Sequence, residues 1–378
     1  MRRMWRAAQI FDGQTLHRNR ALLTDGGVVV DLIDAALVPT DCAENDLGEG
    51  ILCPGFVDLQ VNGGGGALLG LGDPYESIVA LCAAHGRLGT LALLPTLITS
   101  DTATFHAVLD AGRRALRDQV PGFAGLHLEG PFLDPRRKGA HDPALIRRMT
   151  DRDLAALIEA ARDLPAVMVT LAPENASLDQ IAALAAAGIV VSLGHTDTDE
   201  ATARKAIAAG ATCATHLYNA MSPLSHRAPG LVGTALDAPI WAGIIPDGVH
   251  VSPTAFRVAM RAKPGRVFAV SDAMSVAGTD TTEFTLNGRT ILRRDGRLTL
   301  ADGTLAGADI SLPQALKWMV ETVGVPLAEA LAMMTAIPGQ ILEQPLRGTL
   351  APGAPADLVH LGEGFSVQGV WRGAEPVR

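Results

Sequence analysis

GLHLEGP (residues 125–131) is an apolar, strand-like run that ends at Glu129, a residue able to bind a metal ion or carry a proton. The same design, a polar residue at the tip of a hydrophobic run, recurs in FVDLQVN (56–62), VVSLGHT (190–196), CATHLYN (213–219), IIPDGVH (244–250) and FAVSDAM (268–274). Packing does not explain polar residues placed repeatedly at the ends of buried strands. In a barrel of parallel strands, these ends converge on one pocket at the C-terminal face. The pattern therefore predicts a metal-dependent hydrolase.

Length and composition set the limits of this interpretation. The 378 residues accommodate one barrel of roughly 250 residues and a smaller module. The net charge of -9 argues against broad binding to nucleic acid or to a membrane surface. The cysteines form no CxxC pair, the N-terminus lacks the apolar core of a secretory signal, and no apolar run is long enough to span a bilayer. We therefore expect a soluble, cytoplasmic enzyme with a small-molecule substrate.

Strand and turn signals divide the chain into two parts. Residues 7–52 contain short strands separated by turns, whereas strands alternate with Ala-rich helices from Cys53 onward. We predict an α/β fold with a (β/α)₈ TIM barrel at residues 53–344, and a small discontinuous β-sandwich domain built from residues 1–52 and 345–378. The eight barrel strands are predicted at 52–59, 90–97, 123–129, 166–171, 189–194, 212–217, 241–246 and 267–272.

Two local signals refine this outline. Ser177 and Gln180 are spaced as a capping box and predict the start of a helix. Residues 281–307 follow the eighth strand and contain an Asn-Gly pair at 287–288 and two Asp-Gly pairs between alternating runs. Such dipeptides favour tight hairpin turns, so we predict a β-hairpin insertion in the barrel.

The strongest candidates for metal ligands are Glu129, His195 and His216. Each lies at a strand tip, and together they offer the oxygen and nitrogen atoms that a hydrolytic metal ion needs, with a position left for water. A lone histidine would more often be a structural polar residue, but here two tip histidines lie one strand–helix unit apart. His127 shares the inward face with Glu129 and lies deeper in its strand, so we expect it to be structural.

Asp272 is the candidate proton carrier, because it ends the eighth predicted strand within reach of a metal-bound water. Its carboxylate could take the proton of that water and return it to a departing amine. The alternative is an aspartate that only caps the next segment. Convergence of the other strand tips on the same place favours catalysis.

Motifs distributed over nearly the whole chain carry a family resemblance. They are PGFVDLQVNG (54–63), GLHLEGPF (125–132), KGAHDP (138–143), TLAPE (170–174), SLGHT (192–196), THLYNAM (215–221), GIIPDGVHV (243–251) and VSDAM (270–274). Together they resemble the N-acetylglucosamine-6-phosphate deacetylases of the amidohydrolase superfamily. HLEGPF with THLYNAM is highly specific, whereas PGFVD marks only the superfamily. The resemblance implies hydrolysis of N-acetyl-D-glucosamine 6-phosphate to D-glucosamine 6-phosphate and acetate, with N-acetylgalactosamine 6-phosphate or another N-acyl compound as the alternative substrate.

The resemblance also implies individual roles. Glu129, His195 and His216 match metal ligands, Asp272 matches the catalytic acid–base, and His141 matches the histidine that steadies the amide oxygen as it becomes an oxyanion. The implied substrate-binding residues are Ala140, Asn219, Ala220, Arg227, His250, Leu305, Ala306 and Gly307. Backbone N–H groups of the 219–220 pair are suited to a phosphate. The Arg227 fork also meets phosphate bidentately, and the resemblance allows it to be supplied across a homodimer interface.

The first strand tip bears on the number of metal ions. Many amidohydrolases carry His-x-His there, which helps to hold a second metal, whereas this chain has Gln60-Val61-Asn62. Amides are poorer zinc ligands than imidazole, so we expect one divalent ion per subunit, with zinc first and iron, cobalt or manganese as alternatives. A barrel that had lost catalysis and served only as a binding scaffold would be expected to lack a ligand or the tip aspartate, and this chain retains them all.

Overall fold

The computed structural model describes residues 1–37, 42–286 and 288–377. Its central element is a parallel eight-stranded sheet whose strands neighbour each other in chain order, which confirms the predicted barrel class. The barrel strands are Phe56–Val61, Thr90–Ile98, Leu126–Glu129, Val167–Leu171, Val190–Leu193, Cys213–Ala214, Trp241–Ile244 and Val267–Ala269.

The barrel closes between its first and eighth strands through residues that follow the eighth strand. The N–H of Asp272 donates to the carbonyl oxygen of Gln60 at 3.0 Å, and the N–H of Asn62 donates to that of Ala273 at 2.9 Å. Val61 and Ala273 form a parallel bridge at the same seam. This closure places the Gln60-Val61-Asn62 tip directly beside Asp272.

Helices follow the barrel strands. Ser177 and Gln180 form the predicted capping box at the start of Leu178–Ala186, and Gly188 follows its end with a φ of +78°. The other helices are Pro74–Arg87, Thr102–Arg117, Asp151–Asp163, Glu200–Ala208, Gly230–Asp237, Pro253–Ala262, Leu312–Lys317, Leu327–Ala332 and Ala336–Ile341, with a π-helical turn at Trp318–Val323 and 3₁₀ turns at Pro135–Arg137 and Glu363–Phe365. Within the described ranges, no helix combines the length and apolarity needed to cross a membrane.

Two further sheets are built from the ends of the chain. One contains, in order, Val28–Asp34, Arg20–Asp25, Arg3–Arg6 and Ala43–Asp46; the other contains Glu375–Pro376, Val367–Arg372, Leu358–Leu361, Ile51–Pro54, Gln9–Phe11 and Leu16–His17. Ile51–Pro54 pairs with an N-terminal strand on one side and a C-terminal strand on the other. It also extends past the predicted boundary at residue 52. Trp5 and Leu22 pack with Leu350 and Leu358 in a core separate from that of the barrel.

The segment after the eighth strand forms an antiparallel meander. Its strands are Glu283–Leu286, Arg289–Arg294, Arg297–Thr299 and Leu305–Ala308. Residue 287 of the predicted Asn-Gly turn lies outside the described residues. The meander packs Leu286 and Leu298 against Met274, and the N–H of Ala308 donates to the carbonyl oxygen of Asp272 at 3.0 Å. The insertion is therefore attached to the loop that carries the candidate acid–base. A short hairpin, Gly63–Gly64 with Ala67–Leu68, lies after the first barrel strand.

Candidate active site

A cavity of about 380 Å³ lies where the candidate residues of the strand tips converge. Its wall includes Glu129, His195, His216 and Asp272, together with His141. The predicted substrate-binding residues in the wall are Ala140, Asn219, Ala220, His250, Leu305, Ala306 and Gly307. Arg227 is exposed and is not part of this wall within one chain.

Glu129, His195 and His216 bring three ligand atoms together. Glu129 Oε1 lies 3.2 Å from His195 Nε2 and 3.1 Å from His216 Nε2, and the two nitrogens are 3.1 Å apart. A tetrahedral zinc ion with bonds of about 2.0–2.1 Å separates its ligand atoms by about 3.3 Å. The triangle therefore has the size and the donor chemistry of a divalent metal site.

His195 is oriented for this role by its other ring nitrogen. Nδ1 lies 2.8 Å from the carbonyl oxygen of Arg137, which can only accept a hydrogen bond. Nδ1 therefore carries the proton, and the lone pair of Nε2 is directed toward Glu129 and His216. Metal-binding histidines commonly have this arrangement. His141 lies close by, with a ring nitrogen within 4.8 Å of ligand atoms of Glu129 and His195.

The charges in the triangle are mutually stabilised. Burial opposes ionisation of Glu129, but the contacts with His195 and His216 and the attraction of the neighbouring histidines outweigh it and hold the pKa of this carboxyl well below its usual range. Burial likewise lowers the pKa of His216, yet the nearby Glu129 carboxylate raises it overall. A divalent cation would meet a carboxylate that is already ionised in this pocket.

Asp272 has the opposite electrostatic environment. Burial, followed by repulsion from Glu129, raises the pKa of its carboxyl from 3.8 to about 6. Two amide groups donate to one of its oxygens, Oδ1: Gln60 Nε2 at 3.1 Å and Asn62 Nδ2 at 2.7 Å. Gln60 Nε2 also donates to Glu129 Oε1 at 3.1 Å. Asp272 thus combines a pKa near neutrality with a fixed orientation, as a general acid–base requires.

Backbone conformation marks the same residues. His195, His216 and Asp272 have φ values of +47°, +30° and +49°, in the left-handed region that non-glycine residues seldom adopt. Each such residue costs on the order of 1–3 kcal/mol and persists where the surrounding structure enforces it, often at functional sites. Here the turn after each strand redirects the side chain into the shared cavity.

The sequence model of the amidohydrolase family matches residues 51–377 of this chain. The chain belongs to the amidohydrolase family. It is accordingly a hydrolytic enzyme, and its Glu129–His195–His216 triangle agrees with the divalent metal that this family normally uses.

Named relatives cover most of the chain. It is 40% identical over 331 residues to the N-acetylgalactosamine-6-phosphate deacetylase of Shewanella sp. (strain ANA-3), covering 87% of this chain and 84% of the relative. It is 34% identical over 328 residues to the N-acetylglucosamine-6-phosphate deacetylase of Haemophilus influenzae, covering 86% of each. Both named activities remove an acetyl group from an amino-sugar 6-phosphate.

Solved structures agree over the full length. The N-acetylglucosamine-6-phosphate deacetylase of Pasteurella multocida superposes with a TM-score of 0.96 at 33% identity, covering 99% of both chains. An aspartate-to-alanine variant of the Mycobacterium smegmatis enzyme, in complex with N-acetyl-D-glucosamine-6-phosphate, superposes with a TM-score of 0.90 at 32% identity, covering 100% of this chain and 99% of that chain. The small terminal sheets and the barrel are thus both shared with these deacetylases.

One end of the amidohydrolase cavity carries His250 and the 219–220 pair. Nδ1 of His250 lies 2.6 Å from Asp247 Oδ2, which leaves Nε2 as the nitrogen that can face a ligand. The N–H of Asn219 is already used, because it donates to the carbonyl oxygen of His216 at 3.0 Å. Among the residues that the structure describes, no backbone carbonyl oxygen accepts a hydrogen bond from the N–H of Ala220. Only Ala220 therefore offers the backbone donor that was expected from both residues.

The insertion closes another side of the cavity with Leu305, Ala306 and Gly307. Gly307 has a φ of +71°, and a Cβ there would lie 2.9 Å from the carbonyl oxygen of Asp272. A side chain at this position would push the insertion away from the acid–base loop. Arg289 of the same insertion donates to the carbonyl oxygen of Ala140, next to His141.

Several residues of the cavity had no role in the sequence-based hypothesis. Arg136 and Arg137 line the wall, and both pair with carboxylates, Arg137 with Asp197 at 2.8 Å. The basic run at 136–138 is visible in the sequence but carries no sign of its location. Thr99 does not line the cavity and was also missed, although its hydroxyl lies 2.8 Å from Nδ1 of His141, which does line it. A single threonine after a strand gives no signal of this kind.

Proposed function

We propose that this amidohydrolase removes the acetyl group from N-acetyl-D-glucosamine 6-phosphate, giving D-glucosamine 6-phosphate and acetate. The observation that carries the proposal is the convergence of the Glu129–His195–His216 triangle and Asp272 on one cavity. It is supported by the full-length superposition on a deacetylase that holds this substrate.

Glu129, His195 and His216 hold one divalent ion per subunit in this proposal, with zinc expected and iron, cobalt or manganese as alternatives. The bound ion supplies Lewis acidity, activating a water molecule and polarising a carbonyl oxygen. Gln60 directs amide N–H groups at both Glu129 and Asp272, so the group that it presents is a donor rather than a ligand. This orientation supports a single ion.

Asp272 and His141 carry the proton and the developing charge. Asp272 accepts a proton from the attacking water through Oδ2, because Oδ1 is already occupied by the amides of Gln60 and Asn62. The water oxygen bonds to the acetyl carbon, and His141 stabilises the carbonyl oxygen as it gains negative charge. The C–N bond then breaks, Asp272 returns the proton to the amine nitrogen, and acetate leaves with the water oxygen.

Ala220, His250 and Arg227 hold the phosphate of the substrate, at the end of the cavity away from Asp272 and His141. Ala220 contributes a backbone N–H and His250 contributes Nε2. Since Arg227 is exposed and lies outside the cavity wall of its own chain, we assign it to the cavity of a second copy in a homodimer. A protein with a net charge of -9 needs such local donors and cations to hold a phosphate.

A second candidate substrate is N-acetyl-D-galactosamine 6-phosphate, favoured by the 40% identity to the Shewanella enzyme that carries this name. The deciding experiment measures acetate release from both epimers and from unphosphorylated N-acetylglucosamine after loading with zinc or iron. We expect the phosphorylated gluco compound to be preferred, and Asp272→Asn to remove the activity. A faster galacto reaction would support the second candidate. Absence of acetate release from all three compounds would contradict both.

A further inference from the structure

Thr99 follows the second barrel strand and contacts His141 with two of its groups. Its side-chain Oγ1 lies 2.8 Å from His141 Nδ1, and its backbone N–H donates to the same nitrogen at 3.3 Å. Both residues are buried, with Thr99 2% and His141 5% exposed. The contact therefore has no competition from bulk water.

The backbone N–H decides which nitrogen of His141 carries the proton. An amide N–H can only donate, so Nδ1 has to accept, and the Thr99 hydroxyl then donates to it as well. In a neutral imidazole this places the proton on Nε2. His195 has the opposite environment, because its Nδ1 faces the carbonyl of Arg137. Two imidazoles with ring centroids 4.4 Å apart are thus held in opposite tautomers.

We propose that Thr99 is a positioning residue that holds His141 as an Nε2–H donor, and thereby separates the carbonyl-stabilising histidine from the metal-binding pair, His195 and His216. This inference rests on the proposed function. An Nε2–H group can stabilise an oxyanion and cannot bind a metal. In the other tautomer, His141 would present a lone pair close to the ligand atoms of Glu129 and His195.

Gly130 gives independent support, because it provides the space that the Thr99 hydroxyl occupies. A Cβ at Gly130 would lie 2.4 Å from Thr99 Oγ1, and the φ of +89° also disfavours any side chain there. The residue after Glu129 therefore has no side chain at the point where the Thr99 hydroxyl contacts the His141 imidazole.

The first test compares Thr99→Val, which keeps the shape and removes the hydroxyl, with Thr99→Ser, which keeps the hydroxyl. We expect Thr99→Val to lower kcat about tenfold, with KM changed by less than about twofold and metal content unchanged. Thr99→Ser should stay within about threefold of the wild-type kcat. A wild-type kcat in Thr99→Val, beside an impaired His141→Asn variant, would overturn the role of the Thr99 hydroxyl and leave the proposed function intact.

The second test needs no substitution at Thr99. In zinc-loaded wild-type protein labelled with ¹⁵N-histidine, His141 is assigned by comparison with His141→Asn. We expect a protonated Nε2 and an unprotonated Nδ1. A protonated Nδ1 would refute the inference even if Thr99→Val failed to fold. Failure of the wild-type enzyme to release acetate from either epimer would instead contradict the proposed function.

Discussion

Asp272 should lower the stability of the metal-free protein while serving catalysis. Burial and repulsion from Glu129 raise its pKa from 3.8 to about 6. Each tenfold change in an acid dissociation constant corresponds to about 1.4 kcal/mol, so the ionised carboxylate costs roughly 3 kcal/mol of folding free energy above pH 6. Asp272→Asn removes this charge, and its carbonyl oxygen can still accept the amide hydrogen bonds of Gln60 and Asn62. We expect the metal-free variant to be more stable than the wild type by about this amount at pH 8.

The pH dependence has a definite sign. Because the pKa of Asp272 is higher in the folded than in the unfolded protein, the folded protein binds the extra proton between about pH 4 and pH 6. The cost of the carboxylate is therefore complete above pH 6 and decreases as the pH falls. At pH 5 the advantage of Asp272→Asn should be roughly half of its value at pH 8.

Urea-induced unfolding of chelator-treated protein at pH 8 and pH 5 measures both quantities. The exposed Asp280 provides the matched control, and Asp280→Asn should change the free energy of unfolding by less than about 0.5 kcal/mol. The control separates the effect of position 272 and its buried neighbours from the effect of removing any single carboxylate. An Asp272→Asn variant no more stable than the wild type at pH 8, or an advantage that grows at pH 5, would refute the reasoning.

Three further predictions concern the metal and the phosphate. Glu129→Gln removes the anionic ligand and should leave the dialysed protein with far less than one metal ion per chain, as measured by plasma mass spectrometry; full occupancy would contradict the ligand assignment. Arg227→Ala and Asp272→Asn should each be nearly inactive alone. After equal mixing and subunit exchange, half of the dimers contain one chain of each variant, and one of the two sites in such a dimer has both residues intact. About a quarter of wild-type activity should therefore return. Mixing without recovery would contradict supply of the arginine across a dimer interface. Gln60→His combined with Asn62→His should create a second metal site, and an unchanged metal stoichiometry would refute this.

The sequence predicts the strand tips well because each tip is a local signal. A hydrophobic run followed by Glu129, His195 or His216 can be recognised without knowing which strands are neighbours. The parallel barrel then brings the tips together, since the C-terminal ends of its strands share one face. The capping box at Ser177 is equally local, and the helix begins where it was predicted.

Contacts between distant segments could not be predicted in the same way. The amide of Gln60 reaches Asp272 only because the barrel closes at that seam. The use of the Asn219 N–H inside its own turn depends on the left-handed conformation of Tyr218, the third residue of that turn, which no residue pattern indicates. The contact between Thr99 and His141 likewise joins two loops that are separate in the chain.

The most direct test of the account is the position of the metal ion in the zinc-loaded protein. Anomalous diffraction at the zinc edge should show one ion per chain, bound by Glu129 Oε1, His195 Nε2 and His216 Nε2, with His141 outside the coordination sphere. An ion that is bound by His141 in place of His216, or two fully occupied ions per chain, would contradict the assignment on which the proposed reaction depends.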